Sequence, residues 1–234
     1  MVRPVTATRE RILGAAFARF AHYGFRRTSM EDIAAEAGIS RASLYSQFQN
    51  KEEIFRSLSA DLHAEALAGA AAALAGPGTL AGRLQAAAEA KSLRFLEIGY
   101  GSEHGRELLD ESSRLCGDLA SATGAKFRDL LARTLREASE AGEIDLAAAG
   151  LGAAEAAELL SMSMMGLKGA GVTLASYRKR LAALLGVFVA GLASPRPAPG
   201  RGAAAKAPGR SAAAKAPKRA ASPARTSPKR ARRP

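Results

Sequence analysis

Apolar residues recur at helical spacing along most of the first 192 positions, and no run alternates with the period of two that marks a strand. The pattern predicts an all-α chain. Ile12, Leu13, Ala16, Phe17 and Phe20 form the first apolar stripe, with Thr6 or Thr8 as its cap and Gly24 as its end. Ser29 followed three residues later by Asp32 has the form of a capping box. Ile33, Ala34 and Ala37 then share one face, and Gly38 supplies the positive φ that ends a helix. Ser40 caps a second short helix, whose Leu44 and Phe48 point inward at i, i+4. Asn50, with Glu53 three residues on, starts a third. It reads unbroken from Lys51 to Ala75, carried inward by Ile54, Phe55, Leu58 and Leu62.

Gly76-Pro77-Gly78 breaks that helix and Thr79 caps the next, which runs from Leu80 to Ile98 and stops at Gly99-Tyr100-Gly101. A short polar helix is expected over Ser102–Leu115. A separate one follows over Cys116–Ala141, with Phe127, Leu130, Leu131 and Leu135 on one face and Gly142 behind it. Residues 143–152 read as a loop or a single turn. Ala153–Gly169 is apolar nearly all round through Leu159, Leu160, Met162, Met164, Met165 and Leu167, so it requires burial on several sides. The last helix starts at Thr173 and places Leu181, Leu184, Leu185, Phe188, Val189 and Leu192 on one wide stripe. These two apolar surfaces exceed what one short helix pair covers, and Gly166 and Gly169 permit close approach. A homodimer is therefore expected.

Residues 195–234 are a different material: Ala, Pro, Lys, Arg, Ser and Gly without a large apolar side chain. Such a segment cannot offset its chain entropy by burial and is expected to be disordered. It holds twelve of the 34 basic residues and no acid, whereas residues 1–194 carry 22 basic and 22 acidic residues, so the net charge of +12 lies wholly in the tail. Ala203–Arg210 is repeated, with one substitution, as Ala212–Arg219. No apolar stretch reaches the ~20 residues of a membrane span. Met1–Thr8 lacks the apolar core of a signal peptide, so the expected location is the cytoplasm, in association with the nucleoid. A lone Cys116 excludes an internal disulfide and a multi-cysteine zinc site. His22, His63 and His104 do not cluster, and no phosphate loop or nucleophile elbow occurs. Neither an enzyme nor a cofactor is expected.

Two short helices joined by a tight glycine turn form a helix-turn-helix, whose second helix enters the DNA major groove. Seven of the twelve aromatics lie within residues 17–55, where a small three-helix domain needs them as core. Tyr45 is the exception, since its place beside Leu44 lets its hydroxyl reach a phosphate. Ala42, Ser43, Tyr45 and Ser46 turn outward, and Arg41 stands at the helix start. Arg41 suits a guanine edge, Gln47 an adenine and Ala42 a thymine methyl. Ser29 can offer its amide and hydroxyl to a phosphate. Arg3, in a flexible arm over residues 1–8, can reach a minor groove.

The stretch Thr28–Lys51 closely resembles the helix-turn-helix of the TetR/AcrR family of bacterial transcriptional regulators. The matching residues are Thr28, Asp32-Ile33-Ala34, Ala37-Gly38-Ile39-Ser40, Leu44-Tyr45, Phe48 and Asn50-Lys51-Glu52-Glu53, in the first quarter of the chain. The resemblance implies that Tyr45 and Lys51 hold phosphates while positions 41–43, 46 and 47 face bases or sugars. The unfavourable place of a cation at a helix start supports that role for Lys51. Many relatives carry bulkier residues where this chain has Ser46 and Gln47, which leaves the operator open. The resemblance further implies a DNA-binding domain over 9–56 and a helical domain over 57–194. The second would dimerise through its last two helices and take a small effector. Phe95, Ile98, Tyr100, Cys116, Phe127, Met162 and Met165 are candidates to line an apolar pocket for it. A two-fold dimer would set two recognition helices ~34 Å apart on double-stranded DNA with a pseudo-palindromic operator. The expected function is a ligand-released dimeric repressor. The alternative is a nucleoid-associated architectural protein acting through its tail, which resembles linker-histone tails in composition.

Overall fold

Eight helices carry the described part of the chain. The structure, a computed structural model, describes residues 4–168 and 172–193, with backbone alone at 4–6. The tail over 195–234 and Arg3 lie outside the described residues. The helices are α1 (Pro4–Tyr23), α2 (Met30–Glu36), α3 (Arg41–Tyr45), α4 (Lys51–Ala75), α5 (Leu80–Gly101), α6 (Gly105–Glu140), α7 (Ala153–Gly166) and α8 (Leu174–Gly191). α1 starts earlier than the expected arm allows. Proline fits the first helical turn, where its fixed φ is preformed and its missing amide costs nothing, so Pro4 opens the helix.

Local capping sets the other starts. Ser29 Oγ accepts from the Asp32 amide at 3.1 Å while Asp32 Oδ2 accepts from the Ser29 amide at 2.8 Å. Ser40 Oγ accepts from the Ser43 amide and Asn50 Oδ1 from the Glu53 amide. Gly38, at φ +63°, makes the turn between α2 and α3 in the left-handed region that glycine tolerates. α6 joins the two helices expected on either side of residue 115. The break survives as a kink at the buried Cys116, whose φ of −130° and ψ of 18° are non-helical.

Two apolar clusters divide the described residues. The first gathers Ile12, Ala16, Phe20, Phe25, Ile33, Leu44, Phe48, Ile54 and Phe55 from α1 to α4, and takes in Leu108 and Cys116 of α6. The rings of Phe25 and Phe55 meet edge-on, with centroids 5.2 Å apart. The second joins α4 to α8 through Leu84, Phe127, Leu131, Leu160, Tyr177 and Leu181. The Asp145 amide donates to Leu192 O at 2.7 Å, which pins the α6–α7 loop to the end of α8. The proposed division at 56/57 falls inside α4, a single helix that enters both clusters.

Candidate nucleic-acid interface

The recognition helix α3 is only five residues long, so its neighbours must fix its direction. Arg11 of α1 donates from Nη2 to Ala37 O at 2.8 Å and to Gly38 O at 3.3 Å, which holds the turn ahead of α3. Leu44 and Phe48 are buried beneath the helix. Arg19 lies 3.5 Å from Asp32. Hydrogen bonds from the side chain and backbone of Ser29, with the charge of Arg19, hold the Asp32 carboxyl below its usual range.

Arg41, Ala42, Tyr45 and Ser46 are exposed on one side of this scaffold, while Ser43 and Gln47 are half-buried. Tyr45 is 47% exposed, so a small domain rich in buried rings leaves this one at the surface. Arg41 forms an ion pair with Glu31 of α2. Ser46 Oγ donates back to Ser43 O at 2.8 Å.

Two of the expected phosphate ligands are placed otherwise. Lys51 Nζ donates to the carbonyls of Phe25, Arg26 and Thr28 at 2.9, 3.2 and 3.0 Å and lies 4.7 Å from the centre of the Phe25 ring. An ammonium has three donors, and all three are used. Carbonyl oxygens, rather than a phosphate, thus offset the unfavourable end of the α4 dipole. Ser29 likewise commits its amide and hydroxyl to Asp32, at 2.8 and 2.6 Å. Both residues thus have protein partners in the DNA-free chain.

A polar notch of about 370 Å³ opens beside α3, lined among others by Arg27, Ser29, Tyr45, Gln49 and Asn50. Arg27 is exposed and, among the described residues, forms no ion pair. It escaped the sequence reading although the pair Arg26-Arg27 stands just ahead of the α2 cap. The notch therefore holds one free guanidinium and one exposed phenol, both suited to a phosphate.

The expected effector residues are not brought together. Cys116 and Phe127 are buried, each in a different apolar cluster. Tyr100, Met162 and Met165 are exposed, the two methionines at 60% and 65%. Phe95 and Ile98 line a cavity of only about 50 Å³, shared with Phe17, Phe55 and Leu108. An all-round apolar helix gave no indication of which methionines face inward.

Residues 12–58 match the family described as bacterial regulatory proteins, tetR family. The match is confined to the N-terminal helices that build the helix-turn-helix. Among curated relatives, the probable acrEF/envCD operon repressor of Escherichia coli K12 is 35% identical over 51 residues, 22% of this chain and 23% of its own. The HTH-type transcriptional regulator TtgR of Pseudomonas putida is 41% identical over 56 residues, 24% of this chain and 27% of its own. The chain thus spans about a quarter of the length of these relatives. Solved structures extend the likeness in fold. A transcriptional regulator from Cytophaga hutchinsonii matches with a TM-score of 0.66 at 21% identity, covering 79% of this chain and 98% of its own. SmeT, the repressor of a multidrug efflux pump of Stenotrophomonas maltophilia, matches with a TM-score of 0.60 at 25% identity over 82% and 97% of the two chains. SmeT is also known in a triclosan complex. These comparisons lend nothing to an architectural nucleoid protein.

Proposed function

We propose that this chain is a sequence-specific DNA-binding regulator of transcription, a dimer whose tetR-type domains read a pseudo-palindromic operator and release it when a small effector binds. The observation that carries the reading is the recognition helix itself. It presents Arg41, Ala42, Tyr45 and Ser46 to solvent on a scaffold held by Leu44, Phe48 and Arg11. Bases are read by the exposed side chains of α3, with Gln47 at its end, and phosphates by Tyr45 and Arg27. Repressors among its relatives support the direction of control, and the triclosan complex of SmeT supports an effector. A cytoplasmic location follows from this reading, and no described helix is long and apolar enough to cross a membrane.

Dimerisation is supported by the uncovered apolar side chains of the last two helices. Leu159, Met162 and Met165 of α7 and Val187 of α8 are 50–75% exposed in one protomer. A Met162→Glu, Val187→Glu variant should sediment as a monomer and lose most operator affinity. The test of the whole reading is selection of bound sequences from a random DNA library. A two-fold operator should emerge, and Tyr45→Ala should weaken its binding at least tenfold with an unchanged thermal midpoint. Recovery of no preferred sequence would overturn the reading.

A further inference from the structure

A cavity of about 650 Å³ forms a groove between α4 and α6, away from the DNA-facing side chains. Ala60, Ala64, Ala68 and Ala71 line its α4 wall, and Leu67 and Leu130 are among its apolar residues. Helices normally meet through interlocking side chains, but this run of alanines leaves the ridge of α4 too low to fill the space. From Ala60 to Ala71 the wall extends about 16 Å at 1.5 Å per residue. That shape fits an elongated apolar body.

Charge along the groove is of one prevailing sign. Lys126 and Arg133 line it from α6, with Asp129 as its one carboxylate. Among the described residues none of these three forms an ion pair. His63 also lines the groove and stacks on Phe95 with ring centres 4.8 Å apart. Burial, and then the nearby charge of Lys91, lowers the His63 pKa, so the ring is neutral at pH 7. Lys91 itself is half-buried, and its ammonium lies over the Phe127 ring, 5.3 Å from the centroid. Burial, and then the charge of Arg128, pushes its ammonium below the usual range. Lys91 lies outside the groove lining, but the two exposed cations against one carboxylate leave the groove net positive, which favours an anionic occupant.

We propose that the α4–α6 groove is a binding site for an amphiphilic organic anion. An unbranched apolar chain lies along the alanine wall and a carboxylate is held by Lys126 and Arg133. This binding stands on the groove alone, whereas its effect on DNA rests on the regulatory reading above. α4 supplies both the groove wall and, through Lys51, the tie to the α1–α2 loop, so an occupant that shifts α4 would reach the recognition helix.

Calorimetric titration of the full chain with decanoate, decanol and decyltrimethylammonium tests the site. Decanoate should bind saturably, at least tenfold tighter than either analogue. Shortening it to octanoate should weaken binding by up to about fifteenfold, at about 0.8 kcal/mol for each methylene. Lys126→Glu with Arg133→Glu, at exposed positions, should cost at least tenfold. Ala64→Leu with Ala68→Leu fills the groove at helix positions that tolerate leucine and should abolish binding with helix content unchanged. Equal affinity for all three compounds, binding that survives both double variants, or no saturable decanoate binding would each overturn the proposal. Decanoate binding that leaves operator affinity unchanged upholds the site and removes only its coupling to DNA. A chain that selects no operator, yet binds decanoate in this pattern, upholds the site while the regulatory reading fails.

Discussion

Arg41 and Lys51 show how a single residue's partners decide what it offers to DNA. Arg41 can read a base only after leaving Glu31, with which it is paired in the free protein. Both side chains are well exposed, so the pair itself is worth little, within about 1 kcal/mol. The carboxylate matters more by its repulsion of nearby phosphates. Glu31→Gln should therefore tighten binding to random DNA more than to the operator, lowering discrimination several-fold. Fluorescence anisotropy with both DNAs at one salt concentration reads this directly, because affinities at different salt are not comparable. Lys51 behaves oppositely. Lys51→Met strands three carbonyls in the α1–α2 loop and should lower unfolding stability by about 2 kcal/mol in urea titrations. Were Lys51 a free phosphate ligand instead, stability would hold and the salt slope of DNA binding would fall by about one.

At the level of elements, α6 joins the two halves of the fold by charge as well as by packing. Glu111 is buried and accepts from Arg114 Nε at 2.7 Å and from Arg26 Nε at 3.2 Å. Glu107 accepts from the Arg26 amide at 2.8 Å, so the α1–α2 loop is fastened to α6 by backbone and side chain. On the other side of the Cys116 kink, Arg56 of α4 grips both carboxylate oxygens of Asp118, at 3.0 and 2.8 Å, and also reaches Leu115 O. Removing Arg26 and Arg114 together strands a buried carboxylate, whereas Glu111→Gln leaves two arginines that water can solvate. The double arginine variant should thus be the less stable by more than 1 kcal/mol in chemical unfolding. None of this was legible in the sequence, since Arg26 and Glu111 lie 85 residues apart. The caps at Ser29, Ser40 and Asn50, the helix stripes and the long α4 were legible because each depends on residues within a turn or two. The face of α7 was not. An apolar ring of residues carries no stripe to tell Leu160, which is buried, from Met162, which is exposed.

For the whole molecule these ties set a common response to acid. Hydrogen bonds from Arg56 hold Asp118 at about 2. Desolvation raises Glu111, but the bonds from Arg114 and Arg26 outweigh it and leave the group below its usual range. Asp32 is lowered by Ser29. A carboxyl with a depressed folded pKa binds protons more tightly when unfolded. Its contribution is therefore complete above the unfolded value, ~4, and is lost as pH falls through the folded value. His63 adds to the same trend at higher pH. Burial lowers its folded pKa, so below ~6.5 the unfolded chain takes up the proton first and stability declines with it. The thermal midpoint should hence slip gently below pH 6.5 and fall steeply from about pH 4 to pH 2. His63→Phe should flatten the first limb alone, since a phenyl ring keeps the stack on Phe95 without a titrating nitrogen. Asp118→Asn should soften the second limb, and less so in 1 M salt, where the exposed Arg56–Asp118 pair is already screened. Scanning calorimetry of the three proteins across pH 2–8 separates the two limbs. A His63→Phe protein that keeps the first limb would show that another group, not this imidazole, takes up the proton.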